Sequence, residues 1–142
     1  MNFNLTQIPA RTSRPRTDGL TMINDKGLSV GEARNLISGA HPHVDLIKLA
    51  FGTPLLSAGL HEKIKLFQDA GIPVYFGGLL FEAYVIRNQF DDFVGLLKEY
   101  NISWIEISNW SENSALPCNG PFRVQDSPWP NGHVYGNGSI PH

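Results

Sequence analysis

The sequence has little of what defines several protein classes. It contains one cysteine, Cys118, which excludes an internal disulfide framework and fits a reducing compartment. Its 11 Lys and Arg residues against 13 Asp and Glu residues leave no basic excess, so nucleic acid is not an expected partner. No run of about 18 apolar residues occurs, and residues 1–16 are mostly polar. We therefore predict a cytoplasmic protein that is not bound to a membrane.

The sequence does contain a regular alternation of short apolar runs and amphipathic segments. The apolar runs begin near residues 19, 44, 72 and 104, at intervals of 25, 28 and 32 residues. A capping box at Ser29 and Glu32 opens the first predicted helix, and Gly71 ends the second. Alternating strands and helices imply parallel strands joined by right-handed crossovers. Helices are predicted at 30–37, 60–70 and about 80–100, the last with a break in its apolar face near 88–89.

This pattern predicts an α/β fold of the (β/α)8 TIM-barrel type. Such a barrel needs about 250 residues, so four βα units amount to about half of one. We divide the chain into an N-terminal arm at 1–18, a partial barrel at 19–108 and an irregular or disordered tail at 109–142. In the tail, 18 of 34 residues are Pro, Gly, Asn or Ser, so no fifth unit is predicted. We favour a lost natural continuation, through a frameshift or a truncated gene model, over a tail that is simply irregular.

Lys48 interrupts the apolar run from Val44 to Ala50. A lysine is rarely buried in a strand unless something pairs with it. One interpretation is that Lys48 lies near the strand end and extends its ammonium group to water. The other is that Lys48 points into the mouth of a barrel and meets an anionic substrate there.

Each predicted strand carries a polar or glycine-rich feature at its carboxyl end, where parallel α/β barrels place their active sites. Alternation along the fourth strand puts Trp104, Glu106 and Ser108 on one face and the isoleucines on the other, which turns Glu106 inward. Lys48 and Glu106 are therefore expected at one height on neighbouring barrel positions. Asp25 and Lys26 lie at the end of the first strand, and Gly77, Gly78 and Glu82 follow the third.

Each feature also has a purely structural explanation. Glu82 could favour a helix N-terminus through the helix dipole, and Gly77-Gly78 could be a sharp turn. Lys48 and Glu106 could form a structural ion pair. Four strands that end in polar groups on one rim nevertheless favour an active site.

Two arginines, Arg14 and Arg16, flank Pro15 ahead of the first strand. The proline pushes the residue before it out of the helical region. Two guanidinium groups close together suit a phosphate or a carboxylate. Arginines near a terminus are often simply solvated, so both interpretations stay open.

Seven short motifs occur in order along residues 9–108: Arg14-Pro15-Arg16, Gly19-Leu20-Thr21-Met22, Asp25-Lys26-Gly27-Leu28, Val44-Asp45-Leu46-Ile47-Lys48-Leu49, Gly52-Thr53, Gly77-Gly78-Leu79-Leu80-Phe81-Glu82 and Glu106-Ile107-Ser108. Together they resemble the phosphosulfolactate synthase family, the first enzyme of one route to coenzyme M. The second half of the family's barrel has no counterpart here. The sequence also departs from the family's Gly-Trp-Gly-Thr at Ala50-Phe51-Gly52-Thr53, from a threonine at Leu79, and from Asp-Gly at Asn109-Trp110.

The resemblance implies a carbon–sulfur lyase or synthase that adds sulfite to phosphoenolpyruvate with Mg²⁺ and gives phosphosulfolactate. Its partners would be these small anionic substrates, and neither nucleic acid nor a membrane. The resemblance and the residue types assign catalysis to Lys48, Glu82 and Glu106, metal binding to Glu82, Glu106 and Asp25, and substrate binding to Arg14, Arg16, Thr53, Gly77, Gly78 and Ser108.

Other functions fit parts of the sequence. A non-catalytic half-barrel would expose the first and fourth strands as edges, and a second copy of the chain could cover them, so we expect a homo-oligomer. A Schiff-base aldolase would use Lys48 but not the paired arginines or the segment 77–82. If the general acid lies in the half of the barrel without a counterpart, this chain would be an inactive truncated product.

Overall fold

The computed structural model describes residues 5–10, 12–16, 18–107 and 133–136. The fold is α/β, with parallel strands that alternate with helices as in one half of a (β/α)8 barrel, which confirms the predicted fold class. Every pair of neighbouring strands is parallel. The strands follow the order of the chain in one sheet: β1 Met22–Asp25, β2 Leu46–Leu49, β3 Val74–Phe76, β4 Trp104–Ile107 and β5 His133–Gly136.

Helices connect β1 to β2, β2 to β3 and β3 to β4, and they pack on one face of the sheet. The first begins at the predicted capping box, in which the N–H of Glu32 donates to the Ser29 hydroxyl and the N–H of Ser29 donates to the Glu32 carboxylate. No helix in the described part of the chain is long and apolar enough to cross a membrane. The helices are α1 Val30–Ala40, α2 Leu60–Asp69, α3 Gly78–Val85 and α4 Phe90–Glu99, with short 3₁₀ turns at His41–His43 and Thr53–Leu55.

The strand register gives the sheet two different faces. Residues paired in register on neighbouring parallel strands lie on the same face. Asn24 pairs with Lys48, Lys48 with Tyr75, and Tyr75 with Trp104, so these four side chains share one face. The other face packs against the helices and carries apolar residues that are almost inaccessible to water: Ile47, Leu49, Val74, Phe76 and Ile105.

A continuous hydrophobic core lies between the sheet and the helices. Ile64 and Phe67 of α2 and Phe93 and Leu97 of α4 are all buried in it. Phe93 packs edge-on against Phe81 of α3, with ring centroids 5.6 Å apart. Burying each such side chain stabilises the fold by about 1.5–3 kcal/mol. This packing holds the carboxyl ends of the strands in fixed positions.

The long helix predicted at about 80–100 is two helices, with the break at the predicted place. Asn88 has a φ of 55°, in the left-handed region that ends helices. The N–H of Gln89 bonds back to the carbonyl oxygen of Tyr84. The next helix then starts with Asp91 and Asp92 in its first turn, where acidic residues favour a helix N-terminus.

Two strand predictions need correction. The first strand begins at Met22 and not at Gly19, because Gly19 turns the chain with a φ of 59° and Thr21 bonds to Asp45. A fifth strand at His133–Gly136 pairs with β4 inside the segment that was predicted to be irregular. The remainder of that segment lies outside the described residues, and the division into three regions stays a prediction.

Candidate active site

A cavity of about 230 Å³ lies at the carboxyl ends of the strands. Its walls come from the third residues of β1, β2 and β4, from the segment after β2 and from the start of α3. This is the edge of the sheet at which α/β barrels build their active sites. The lining residues are Asn24, Lys48, Ala50, Phe51, Gly77, Gly78, Leu79 and Glu106.

Lys48 and Glu106 form an ion pair inside this cavity. The Lys48 Nζ atom lies 2.6 Å from Oε2 and 2.8 Å from Oε1 of Glu106. The predicted ion pair is therefore confirmed, but its predicted placement is wrong. The strand β3 lies between β2 and β4, and the register puts Lys48 level with Trp104, two residues before Glu106. The exposed fractions of the two side chains, 22% for Lys48 and 12% for Glu106, leave the pair within reach of a small molecule in the cavity.

The start of α3 completes the contacts of Glu106. The backbone N–H of Gly78, the first residue of α3, donates to Oε2 of Glu106 over 3.2 Å. The positive end of the helix dipole also favours a negative charge at this position. The Glu106 carboxylate is thus held by one ammonium group and one helix N-terminal amide.

Gly77 brings the backbone close to Lys48. A Cβ atom at this position would lie 3.1 Å from Cε of Lys48 and 3.2 Å from the carbonyl oxygen of Leu49. The N–H of Gly77 donates to that same carbonyl oxygen over 2.9 Å. Gly77 is the extended N-cap residue of α3, with φ −65° and ψ 153°, and Gly78 is the first residue of the helix, so the predicted sharp turn is not supported. The close approach of Gly77 to Lys48 instead gives the cavity its shape.

Two exposed apolar side chains line the cavity, and a cation lies beside one of them. Lys26 Nζ lies 5.5 Å from the ring centroid of Phe51, which is within range of a cation–π contact. Phe51 is 63% exposed and Leu79 is 41% exposed. Lys26 is not a lining residue itself, but it places a positive charge beside Phe51, which is one.

The structure does not bring Asp25 to the predicted metal site. Asp25 is fully buried, and alternation along β1 turns it away from the face of Asn24. Its carboxylate lies 2.8 Å from Nζ of Lys63 and accepts hydrogen bonds from the N–H groups of Gly27 and Leu28. The same ammonium group donates to the carbonyl oxygen of Leu28. This carboxylate is committed to Lys63 and to the β1–α1 turn.

Arg14 and Arg16 also lie away from the cavity, at the amino ends of the strands. The Arg16 Nη1 atom lies 2.7 Å from Oδ1 and 2.8 Å from Oδ2 of Asp45, and only 3% of the Arg16 side chain is exposed. Arg14 donates to the carbonyl oxygens of His41 and Gly71. Both guanidinium groups are used within the fold, so the predicted substrate contacts at these two positions are not supported by the geometry.

The Asp45 carboxylate is the centre of this second cluster. Its burial would raise its pKa, but the hydrogen bonds from the Thr21 N–H and from Arg16, together with the charges of Arg16 and Arg14, lower the pKa below its ordinary value. The cluster therefore ties the N-terminal arm to the start of β2.

The remaining predicted site residues are Thr53, Glu82 and Ser108. The Thr53 hydroxyl donates to the carbonyl oxygen of Ala50 over 2.8 Å and holds the turn after β2. Glu82 is buried on α3, four residues after Gly78 and so on the same side of the helix. Ser108 lies outside the described residues. Within the described part of the chain, no group of three or more His, Cys, Asp or Glu side chains is arranged to hold a metal ion.

Sequence reasoning missed two residues for which a signal was present. Asn24 pairs in register with Lys48 and lines the cavity, and alternation would have identified it if β1 had been placed at its true position. Lys63 follows Leu60 by three residues and precedes Ile64, so it lies on the core side of α2. A lysine on the apolar side of a helix predicts a buried partner.

The sequence matches a protein family model and several known proteins over most of its length. A family model described as (2R)-phospho-3-sulfolactate synthase (ComA) matches residues 9–116. A phosphosulfolactate synthase of Bacillus subtilis (strain 168) is 35% identical over 109 residues, which cover 77% of this chain and 43% of that protein. One from Methanothermobacter thermautotrophicus is 32% identical over 71% of this chain and 40% of its own length. A third, from Methanocaldococcus jannaschii, is 32% identical over 69% and 40%. The chain thus spans about two fifths of the length of these relatives.

Proposed function

Because the chain belongs to the phosphosulfolactate synthase family, we propose that its cavity serves the magnesium-dependent addition of sulfite to phosphoenolpyruvate, which gives phosphosulfolactate in coenzyme M biosynthesis. The observation that carries this proposal is the Lys48 ammonium group, which lies inside the cavity beside Glu106 and the start of α3. Both reactants are anions, so a site for them needs a cation that is within their reach.

The proposed step forms one carbon–sulfur bond. The sulfur of sulfite attacks the methylene carbon of phosphoenolpyruvate, and the electron pair of the double bond moves onto the central carbon and its carboxylate. The resulting enediolate then takes one proton at the central carbon, while the phosphate stays attached. Lys48 can hold the anionic reactants and carries protons inside the cavity, which makes it the proposed general acid.

Mg²⁺ is part of the proposed reaction, and among the described lining residues Glu106 offers it a carboxylate. Mg²⁺ is commonly held by one or two protein carboxylates and completes its shell with water and substrate oxygens, so this arrangement fits. Asp25 does not fit, because Lys63 holds its carboxylate in the interior. When bound, the ion would stabilise negative charge on the substrate carboxylate.

An assay of product formation tests the proposal. The purified chain, given sulfite, phosphoenolpyruvate and Mg²⁺, is expected to yield phosphosulfolactate, which phosphorus NMR separates from the substrate. Lys48→Met should lower the rate by about 10²-fold or more, since it removes both a cation and a proton donor. Lys65→Met, at a 65% exposed lysine of α2, is the matched control and should leave the rate unchanged. A folded chain that forms no product contradicts the proposal.

A non-catalytic, self-associating half-barrel is the second candidate. Of the two strands expected as edges, β4 is not one, because it pairs with β5. In the described part of the chain, β1 pairs only with β2, and its Met22 side chain is 44% exposed. A free strand edge with an exposed apolar side chain can pair with another chain. Light scattering should then report a dimer that Met22→Lys converts to a monomer, whereas the control Leu56→Lys, at a 91% exposed leucine, has no effect. A wild-type monomer contradicts this candidate.

The cytoplasm is the proposed location. Its support is the single cysteine in 142 residues, which is typical of proteins from reducing compartments. Fractionation of cells that express the full-length protein would place it in the soluble fraction. Recovery with the membranes or outside the cell would contradict this proposal.

A further inference from the structure

The Glu106 carboxylate is placed as a bound anionic ligand would be. Its two oxygens lie 2.6 and 2.8 Å from Nζ of Lys48, and one of them also accepts from the N–H of Gly78 at 3.2 Å. A lysine ammonium group and a helix N-terminal amide together are a typical set of donors for a carboxylate or a phosphate. Here that set of donors is satisfied by a side chain of the protein itself.

Because the Glu106 carboxylate already occupies these donors, any anion that enters the cavity must compete with it. An incoming carboxylate or phosphate needs Lys48, and it would meet the negative charge of Glu106 at the same point. Like charges placed together at a binding site repel each other, so the anion and the Glu106 carboxylate compete for one ammonium group. The pair is partly exposed and lines the cavity, so the side chain has room to move.

We propose that Lys48 Nζ and the Gly78 N–H form an anion subsite, and that the anionic group of the substrate enters this subsite by displacing the Glu106 carboxylate. The ligand class is a small molecule that carries a carboxylate or a phosphate. The inference rests on the proposed function only for the identity of the natural ligand. The exchange itself involves only residues of this chain and can be tested with inorganic phosphate.

The two fully engaged pairs elsewhere in the fold differ from this one. The Asp25 and Lys63 side chains are 0% and 1% exposed, so no ligand can reach them. Asp45 and Arg16 lie at the other end of the strands, with side chains 5% and 3% exposed. Of these three pairs, Lys48–Glu106 is therefore the most accessible to a ligand, and it is the one that lines the cavity.

Titration calorimetry with inorganic phosphate, without Mg²⁺ and sulfite, tests the exchange. Glu106→Gln keeps the shape of the side chain but removes the competing charge, so phosphate should bind about tenfold or more tightly than to the wild type. Glu62→Gln is the matched control, since it removes one negative charge from a side chain that is 57% exposed and paired with Arg34. It should leave the affinity unchanged. The double variant Lys48→Met, Glu106→Gln should lose the gain, because the subsite then lacks its cation.

A second measurement needs no variant and stays valid if Glu106→Gln fails to fold. In the wild-type chain labelled with ¹⁵N and ¹³C, saturating phosphate should shift the Gly78 amide resonance and the carboxyl resonance of Glu106. Weaker or unchanged phosphate binding to a folded Glu106→Gln variant would overturn the exchange, as would resonances that stay fixed at saturation. Neither result depends on turnover, so a chain that binds phosphate in this way but forms no phosphosulfolactate would contradict the proposed function alone.

Discussion

At the scale of single residues, burial separates two lysines that both lie among apolar residues in the sequence. Lys63 is 1% exposed and is held by Asp25 and by the Leu28 carbonyl oxygen, whereas the Lys48 side chain is 22% exposed and faces a cavity. A charge that is fully enclosed by its partners supports the fold but cannot meet a substrate. A charge that is partly exposed at the carboxyl edge of a parallel sheet can do so.

Removal of Lys63 should therefore destabilise the chain. Lys63→Met leaves the Asp25 carboxylate buried without its counter-ion, and breaking a buried pair in this way costs about 3–5 kcal/mol. The free energy of unfolding, measured by urea denaturation, should fall by that amount. The double variant Asp25→Asn, Lys63→Met removes both charges and should recover part of the loss. A Lys63→Met variant as stable as the wild type would show that this pair does not hold the β1–α1 turn.

Asp45 gives a prediction about acid stability. Its pKa is lowered in the folded chain, although burial acts to raise it. Its contribution to the free energy of unfolding is therefore complete above the ordinary pKa of aspartate, about 3.9, and is lost as the pH falls through the pKa of the folded chain. Asp45→Asn should cost about 1–3 kcal/mol at pH 7 because it removes a charged acceptor of several hydrogen bonds.

The test is to measure the free energy of unfolding of the wild type and of Asp45→Asn as a function of pH. The gap in unfolding free energy between the wild type and Asp45→Asn should be constant above about pH 5 and should narrow below about pH 4. Asp69→Asn, at a 62% exposed side chain that pairs with Lys65, is the control and should change stability by less than about 0.5 kcal/mol. A gap that widens as the pH falls would contradict the assignment.

At the scale of elements, the start of α3 determines the shape of the cavity. Gly77→Ala would place a Cβ atom 3.1 Å from Lys48 and 3.2 Å from the Leu49 carbonyl oxygen, so the lysine or the helix start must shift. We expect this variant to lose affinity for anions. Gly95→Ala in α4 is the matched control, since nothing lies within 4 Å of its Cβ position, and it should stabilise the helix by about 0.5–1 kcal/mol.

Calorimetry with phosphate and urea denaturation on both glycine variants separate binding from folding. The expected result is weaker phosphate binding for Gly77→Ala and unchanged binding for Gly95→Ala. Equal phosphate affinity in Gly77→Ala and the wild type would mean that the close approach of Gly77 to Lys48 has no role in the subsite.

The elements that the sequence predicted well are those with strong local signals. The capping box at Ser29, the left-handed Gly71 after α2 and the interruption before Gln89 all appear in the structure. The start of β1 was misplaced because the side chain of Asp45, which is 24 residues away, bonds to Thr21. A contact of that kind has no local signature in the sequence.

At the scale of the whole molecule, the charged residues form clusters at opposite ends of the strands. Arg14, Arg16 and Asp45 meet at the amino ends, and Lys48 and Glu106 meet near the carboxyl ends. Alternation could predict the second pair because both residues sit inside strands. It could not place the arginines, although a segment that leads into the first strand arrives at the amino end. That topology is the signal that would have separated Arg14 and Arg16 from the cavity.

If the substrate binds in the cavity around Lys48, its binding depends on the Lys48 ammonium group. Calorimetric titration of phosphoenolpyruvate into the wild-type chain, Lys48→Met and the surface control Lys65→Met measures this dependence. We expect binding to the wild type and to Lys65→Met with equal affinity, and loss of binding in a folded Lys48→Met variant. Binding that survives in Lys48→Met, or no binding to the wild-type chain, would contradict this expectation.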